Sequence, residues 1–85
     1  MRYRSKIDII SQILETANGG SGATKTKIMY NAYISYLALK EYLTVLTESD
    51  LLCYDEEMQS FKTTEKGLRF LQTYNRINDI MKPEI

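Results

Sequence analysis

Residues 30–52, YNAYISYLALKEYLTVLTESDLL, with FKTTEKGLRFL at residues 61–71 close behind, decide how this chain folds. Ser35 can open a helix, because its hydroxyl can accept from a first-turn amide that has no partner within the helix. Beyond it Leu39, Leu43 and Leu46 recur at i, i+4 and i+7, the stripe of a helix with one buried face, and Leu37 and Tyr42 flank that stripe. Ser35, Ala38, Lys40, Glu41 and Thr44 are left for solvent or a ligand, with Tyr36 near the boundary. Asp50 stands where a helix end favours a left-handed residue, a conformation Gly or Asn adopts more readily. Residues 52–54, LCY, and 60–62, SFK, then read as a two-stranded hairpin whose tip is residues 55–59, DEEMQ. A lone hairpin is marginal in water, so Leu52 and Phe61 are expected to pack onto the helices.

The flanks supply the remaining elements. Ser5 with Asp8 three residues on has the form of a capping box, and Ile7, Ile10, Leu14 and Ala17, beside Ile9 and Ile13, follow at helical spacing. This helix ends by Asn18, and residues 18–22, NGGSG, break any regular element and read as a flexible loop. Thr24 caps a short second helix with Ile28 and Met29 turned inward and Lys25 and Lys27 outward; Asn31 and Ala32 are read as its turn. Thr64 caps a last helix, with Glu65 in its first turn, that runs to about Met81, where Pro83 stops it. Leu68 and Leu71 can reach the core from this helix. Phe70, Tyr74, Ile77 and Met81, spaced four, three and four apart, make a second, heptad-like seam that could fold back on the first helix but reads rather as a subunit interface. Helix, turn, helix, two strands and helix is an α+β, mostly α order: a winged helix-turn-helix of three helices and a two-stranded wing over residues 1–63, then a C-terminal dimerisation helix over residues 64–85.

Eighty-five residues with 44% hydrophobic and 26% charged content make one globular domain with a small core. No apolar run is long enough to span a bilayer, and the basic start MRYRSKID lacks the apolar region of a secretion signal. The single Cys53 suits a reducing, cytoplasmic setting and reads as a small buried strand residue. Net charge is zero, yet it is sorted along the chain. Residues 1–40 carry six bases and two acids, residues 41–61 six acids and no base, and residues 62–85 five bases and three acids. Such polarity fits one nucleic-acid-facing side.

Catalysis has no visible support. There is no histidine, one cysteine cannot build a zinc site, and the glycine-rich loop lacks the lysine and hydroxyl pattern of a phosphate loop. No cofactor, metal or small-molecule ligand is implied. Of the seven tyrosines, Tyr33, Tyr36 and Tyr42 are candidates for phosphate or sugar contact, half-buried packing being the stronger reading for Tyr42; Tyr3 and Tyr30 read as core-edge residues.

The strings KIDIISQILE at 6–15, TKTKIMY at 24–30, SYLALKEYL at 35–43 and TTEKG at 63–67, in this order, resemble the small archaeal winged-helix DNA-binding proteins that dimerise through a C-terminal antiparallel coiled coil. The resemblance covers nearly the whole chain. It implies a homodimer on duplex DNA, acting as a transcriptional regulator or chromatin-associated factor on the nucleoid, with the third helix in the major groove. It puts Ser35, Tyr36, Ala38, Lys40 and Thr44 at the groove and Lys25, Lys27 and Lys62 on phosphates, with Arg2, Arg4 and Lys6 as further bases. The chain departs from the pattern twice: the last helix is short for a coiled coil, and the wing tip carries three consecutive acids, Asp55, Glu56 and Glu57, which repel phosphate. Zero net charge and this acidic tip fit a rival reading, a protein-interaction winged helix that leaves DNA alone.

Overall fold

The structure is a computed structural model that describes residues 4–81. Its elements are α1 (Lys6–Ala17), α2 (Lys25–Ala32), α3 (Tyr36–Glu48), β1 (Leu52–Asp55), β2 (Ser60–Thr63) and α4 (Glu65–Met81). This is the expected element order. Arg2, Tyr3 and Pro83, to which the sequence assigns roles, lie outside the described residues.

Each helix starts on the cap that its sequence announces. Ser5 and Asp8 form a complete capping box, the Ser5 hydroxyl accepting from the Asp8 amide and the Asp8 carboxylate from the Ser5 amide. Thr24 accepts from the Lys27 amide, Ser35 from the Ala38 amide and Thr64 from the Gly67 amide, at 3.2, 3.2 and 3.0 Å. Asp50 takes the left-handed conformation, φ 63°, that closes α3.

The core is one cluster. Ile13, Leu14 and Ala17 of α1, Ile28 and Ala32 of α2, Leu39, Leu43 and Leu46 of α3, Leu52, Phe61 and Leu71 meet in it, with Ala23 at its edge. The hairpin pairs Leu52 with Thr63 and Tyr54 with Phe61, whose rings lie 4.9 Å apart at a tilted angle. On its other edge Phe61 exchanges both backbone bonds with Ala23, at 2.9 and 2.8 Å, and the Ser60 hydroxyl donates to the Ser21 carbonyl at 2.8 Å. The glycine-rich connection is therefore a loop whose exit is tied to the wing. The Thr63 hydroxyl donates to the Leu14 carbonyl at 2.6 Å and fixes the other end of β2 to α1.

Five expectations from the sequence are corrected. Asn31 and Ala32 do not turn the chain: α2 continues through a buried Ala32, and the left-handed residue is Tyr33 at φ 55°. Tyr30 is not at the core edge but 72% exposed, because Ile28 and Ala32 already fill the inward face of so short a helix. Cys53 is exposed, since β1 points Leu52 inward and its neighbour outward. Leu68 is largely outside the core, because Gly67 and Leu71 take the inward line of α4. Leu37 does not flank the buried stripe but stands 74% exposed on the other side of α3.

Gly67 explains how α4 docks. A Cβ at this position would collide with the Leu51 carbonyl oxygen and with the Thr63 methyl. Around that contact the Thr64 hydroxyl donates to the Asp50 carbonyl at 2.7 Å, and the Lys66 ammonium to the Ser49 carbonyl at 2.9 Å. The carbonyls of the residues that follow α3 are thus satisfied by the first turn of α4, while the last carbonyls of α3 itself accept from the Ser49, Asp50 and Leu51 amides. We expect Gly67→Ala to destabilise the domain by about 1–3 kcal/mol in chemical denaturation, the usual cost of overpacking. Gly19→Ala, where a Cβ meets nothing, is expected to stay within about 0.5 kcal/mol of the parent.

Candidate nucleic-acid interface

The solvent face of α3 follows from its buried one. With Leu39, Leu43 and Leu46 held inward, Leu37, Glu41 and Thr44 line up on the opposite side, all exposed. Lys40 and Tyr36 sit to one flank of this line. The Lys40 ammonium lies 5.7 Å from the centre of the Tyr36 ring, a cation–π contact that holds the charge at the surface. Ala38, two residues from Lys40, is half-buried toward the other flank.

A shallow groove runs along the Lys40 flank, lined by Lys25, Lys40, Leu43, Thr44, Thr47 and Phe61. It joins the N-terminal turn of α2, the middle of α3 and the wing strand β2. Lys27, two residues from Lys25, stands exposed in the first turn of α2 and does not line this groove. Among the described residues the ion pairs are Lys62 with Asp55 and Arg69 with Glu65. Lys25, Lys27 and Lys40 have no carboxylate partner among them.

The other expected contacts are differently placed. The Lys62 ammonium lies 3.4 Å from the Asp55 carboxylate, across the diagonal of the hairpin. That carboxylate also accepts from the Met58 and Glu57 amides, at 3.2 and 3.0 Å. The Met58 amide holds its pKa below the usual carboxylate range, Lys62 and Glu57 adding to the effect and partial burial opposing it. Asp55 is consequently ionised at neutral pH, and the pair opens only as pH falls through that lowered range. Glu56 and Glu57 remain exposed at the tip. Ser35 is exposed, its hydroxyl engaged as the cap of α3.

Arg4 is a structural cation. Its guanidinium donates to the Ala32 carbonyl at 2.6 Å and the Tyr33 carbonyl at 3.1 Å, so it closes the C-terminal end of α2. The turn it holds is strained, because a non-glycine residue in the left-handed region costs about 1–2 kcal/mol. Tyr33 nonetheless occupies it, with its side chain 82% exposed. Tyr30, Tyr33 and Leu37 are thus surface residues near the turn, and periodicity alone did not place Tyr30 and Leu37 there. A signal for Leu37 existed: it stands two residues before Leu39, about 200° round a helix of 3.6 residues per turn.

On the far flank of α3, Glu41, Tyr42 and Val45 share a groove with Lys6 and Ile10 of α1. On the C-terminal helix, Phe70 is half-buried against the core, and the Tyr74 hydroxyl donates to the Asp8 carboxylate of α1. Ile77, Ile80 and Met81 are exposed beyond them. A groove between α1 and α4 is lined by Ile7, Phe70, Thr73, Tyr74, Ile77 and Asn78, among others. No helix of the described residues is long and apolar enough to cross a membrane.

Comparison with curated proteins gave no match. A family model described as winged helix-turn-helix matches residues 3–82, a span that takes in all four helices and both strands. The helix-turn-helix pair and the hairpin agree with that description, and this chain belongs to the winged helix-turn-helix family.

Proposed function

We propose that this protein binds duplex DNA as a homodimer of the small archaeal type, with α3 in the major groove, and serves as a transcriptional regulator or a chromatin-associated factor on the cytoplasmic nucleoid. The observation that carries the reading is the groove that brings Lys25 and Lys40 together beside the exposed face of α3, neither lysine neutralised by a carboxylate. Two ammonium groups along one flank of a helix face are suited to one of the phosphate strands that border a major groove. Lys25 and Lys27 anchor phosphate from the first turn of α2, where unpaired amides add positive potential. Ser35, Tyr36, Ala38, Lys40 and Thr44 face the groove, and Lys62 reaches phosphate when Asp55 releases it.

In this reading residues 1–63 are the DNA-binding domain and residues 64–85 the dimer interface. Of the seam Phe70, Tyr74, Ile77 and Met81, Phe70 already packs on the core and Tyr74 bonds Asp8 of α1, so Ile77 and Met81 carry the contact with the partner. The exposure of Ile77, Ile80 and Met81 supports it, since a free helix end with this much apolar surface gains from a partner. The groove between α1 and α4 offers that partner a seat.

A second reading, a protein-interaction module without DNA, is favoured by the exposed Tyr30, Tyr33 and Leu37 and by the acids at the wing tip. A titration with random-sequence duplex at two salt concentrations separates the two. Salt-sensitive binding supports the DNA reading; no binding at low salt moves the interaction module ahead.

Three outcomes are expected. Changing Lys25 and Lys27 to Ala weakens binding on every sequence and lowers the salt slope by about 0.9 for each phosphate no longer neutralised; unchanged binding sinks the anchoring role. Asp55→Asn, which keeps an acceptor for the tip amides, frees Lys62, tightens binding and steepens the slope by up to about 0.9, the value of one further phosphate. Ile77→Glu with Met81→Glu gives a folded monomer by sedimentation, with the thermal transition of the domain core retained; a dimer that persists would place the interface elsewhere.

A further inference from the structure

The exposed line on α3 has an unusual chemical inventory for a base-reading surface. The helix, YLALKEYLTVLTE, holds no Arg, Asn or Gln. Guanine and adenine edges are most often read by bidentate pairing with Arg or Lys and with Asn or Gln, respectively. Lys40 is the one residue of α3 suited to that pairing, and it is stacked on Tyr36 at the groove flank. At the centre of the face stand Leu37, Glu41 and Thr44.

Thr44 is less polar than its name suggests. Its hydroxyl donates to the Lys40 carbonyl at 3.0 Å, which commits its proton to the helix and leaves the methyl group as the other end of the side chain. Leu37 is the second residue of α3 and 74% exposed. It lies in the N-terminal turn, the part of a recognition helix that meets base edges. Leu37 and Thr44 are seven residues apart, about 10 Å along the axis, the rise of roughly three base pairs. Between them Glu41 presents an acceptor, which the acceptor-rich edge of guanine repels and an exocyclic amino group satisfies. The flanking lysines Lys25 and Lys40 supply the charge complementarity that would hold a duplex against this face.

We propose that α3 recognises thymine through its 5-methyl group, with Leu37 as the principal contact and the Thr44 methyl as a second about three base pairs away. The inference rests on the DNA-binding reading above. An isolated exposed leucine carries no meaning by itself. Here it lies on the one line of α3 opposite the core, in the turn nearest the bases, in line with a threonine whose proton is already used and next to the flank that carries Lys25 and Lys40. The specificity that follows is a preference for A·T-containing sites over G·C runs, set in the major groove by apolar contact.

The test compares two duplexes of one alternating A·T sequence, one with thymine and one with uracil at every thymine position, titrated with the full chain at low salt. The two differ only in the 5-methyl groups. The expected result is weaker binding of the uracil duplex, by about fourfold for each methyl buried. Leu37→Ala, a change at an exposed position, is expected to shrink that ratio toward one, and Thr44→Ser, which keeps the hydroxyl bond, to reduce it in part. Lys25→Ala should weaken both duplexes in proportion and keep their ratio. Equal binding of the two duplexes by the parent chain, or a ratio that survives Leu37→Ala, overturns the methyl contact while leaving DNA binding standing. No binding of either duplex at low salt overturns the DNA-binding reading, and this inference with it.

Discussion

The structure depends on the one-sided burial of α3. Leu39, Leu43 and Leu46 are three of the twelve buried apolar residues among those described. A small core has little reserve: truncating one such leucine costs about 2–5 kcal/mol, against a total stability of roughly 5–15 kcal/mol for a domain. Rotating α3 about its axis would expose the stripe, and the same penalty forbids it. The direction of Leu37, Glu41 and Thr44 is therefore fixed by the leucines behind them. Core and candidate reading face are two consequences of one helical register.

Charge is arranged by the same economy of positions. The chain has eleven bases and eleven acids, but what reaches a partner is decided by which cations are already engaged. Arg4 is held by two carbonyls at the end of α2, Lys66 by a carbonyl at the end of α3, Lys62 by Asp55 and Arg69 by Glu65. Lys25, Lys27 and Lys40 make no such contact among the described residues, and they surround the N-terminal end of α2 and the middle of α3. A neutral protein can thus leave lysines uncompensated at one groove: Arg4, Lys62, Lys66 and Arg69 are engaged elsewhere, and three of the acids, Asp55, Glu56 and Glu57, sit at the wing tip. The exposed pair Arg69 and Glu65 adds little to stability, as such surface pairs do; the carbonyl contacts of Arg4 and Lys66 matter more, because they satisfy helix ends.

Local chemistry was legible in the sequence, and long-range chemistry was not. Every cap read from a hydroxyl residue, at Ser5, Thr24, Ser35 and Thr64, is present, because a cap involves atoms three residues apart. The left-handed Asp50 and the packing of Leu52 and Phe61 follow from equally local rules. What escaped were choices among neighbours made by distant partners. Gly67 rather than Leu68 faces inward because the Leu51 carbonyl leaves room for no side chain. Arg4 closes α2 from twenty-eight residues away, so α2 runs further than its composition suggested. Cys53 and Leu37 were assigned by residue type, when strand alternation and helical angle both turned them outward. At the candidate interface, periodicity sufficed to find Lys40 and Thr44, but only the folded chain brings Lys25 of another helix to the same groove.

The first turn of α4 joins the two ends of the proposed mechanism. Thr64, Lys66 and Gly67 contact the carbonyls of Asp50, Ser49 and Leu51, the three residues that follow α3. No flexible linker separates α3 from the helix proposed to carry the dimer seam. Farther along, α4 is braced against α1 by Leu71 and by the Tyr74 bond to Asp8. The Asp8 carboxylate is also the acidic half of the box that starts α1, so one residue fixes both helices. A pair of chains joined through Ile77 and Met81 would hold its two α3 helices at a separation set by packed, hydrogen-bonded elements throughout. Such a dimer has little freedom to adjust its half-site spacing. It would select DNA by geometry as well as by contact, and a short seam would suffice for this, because the rigidity resides within each subunit.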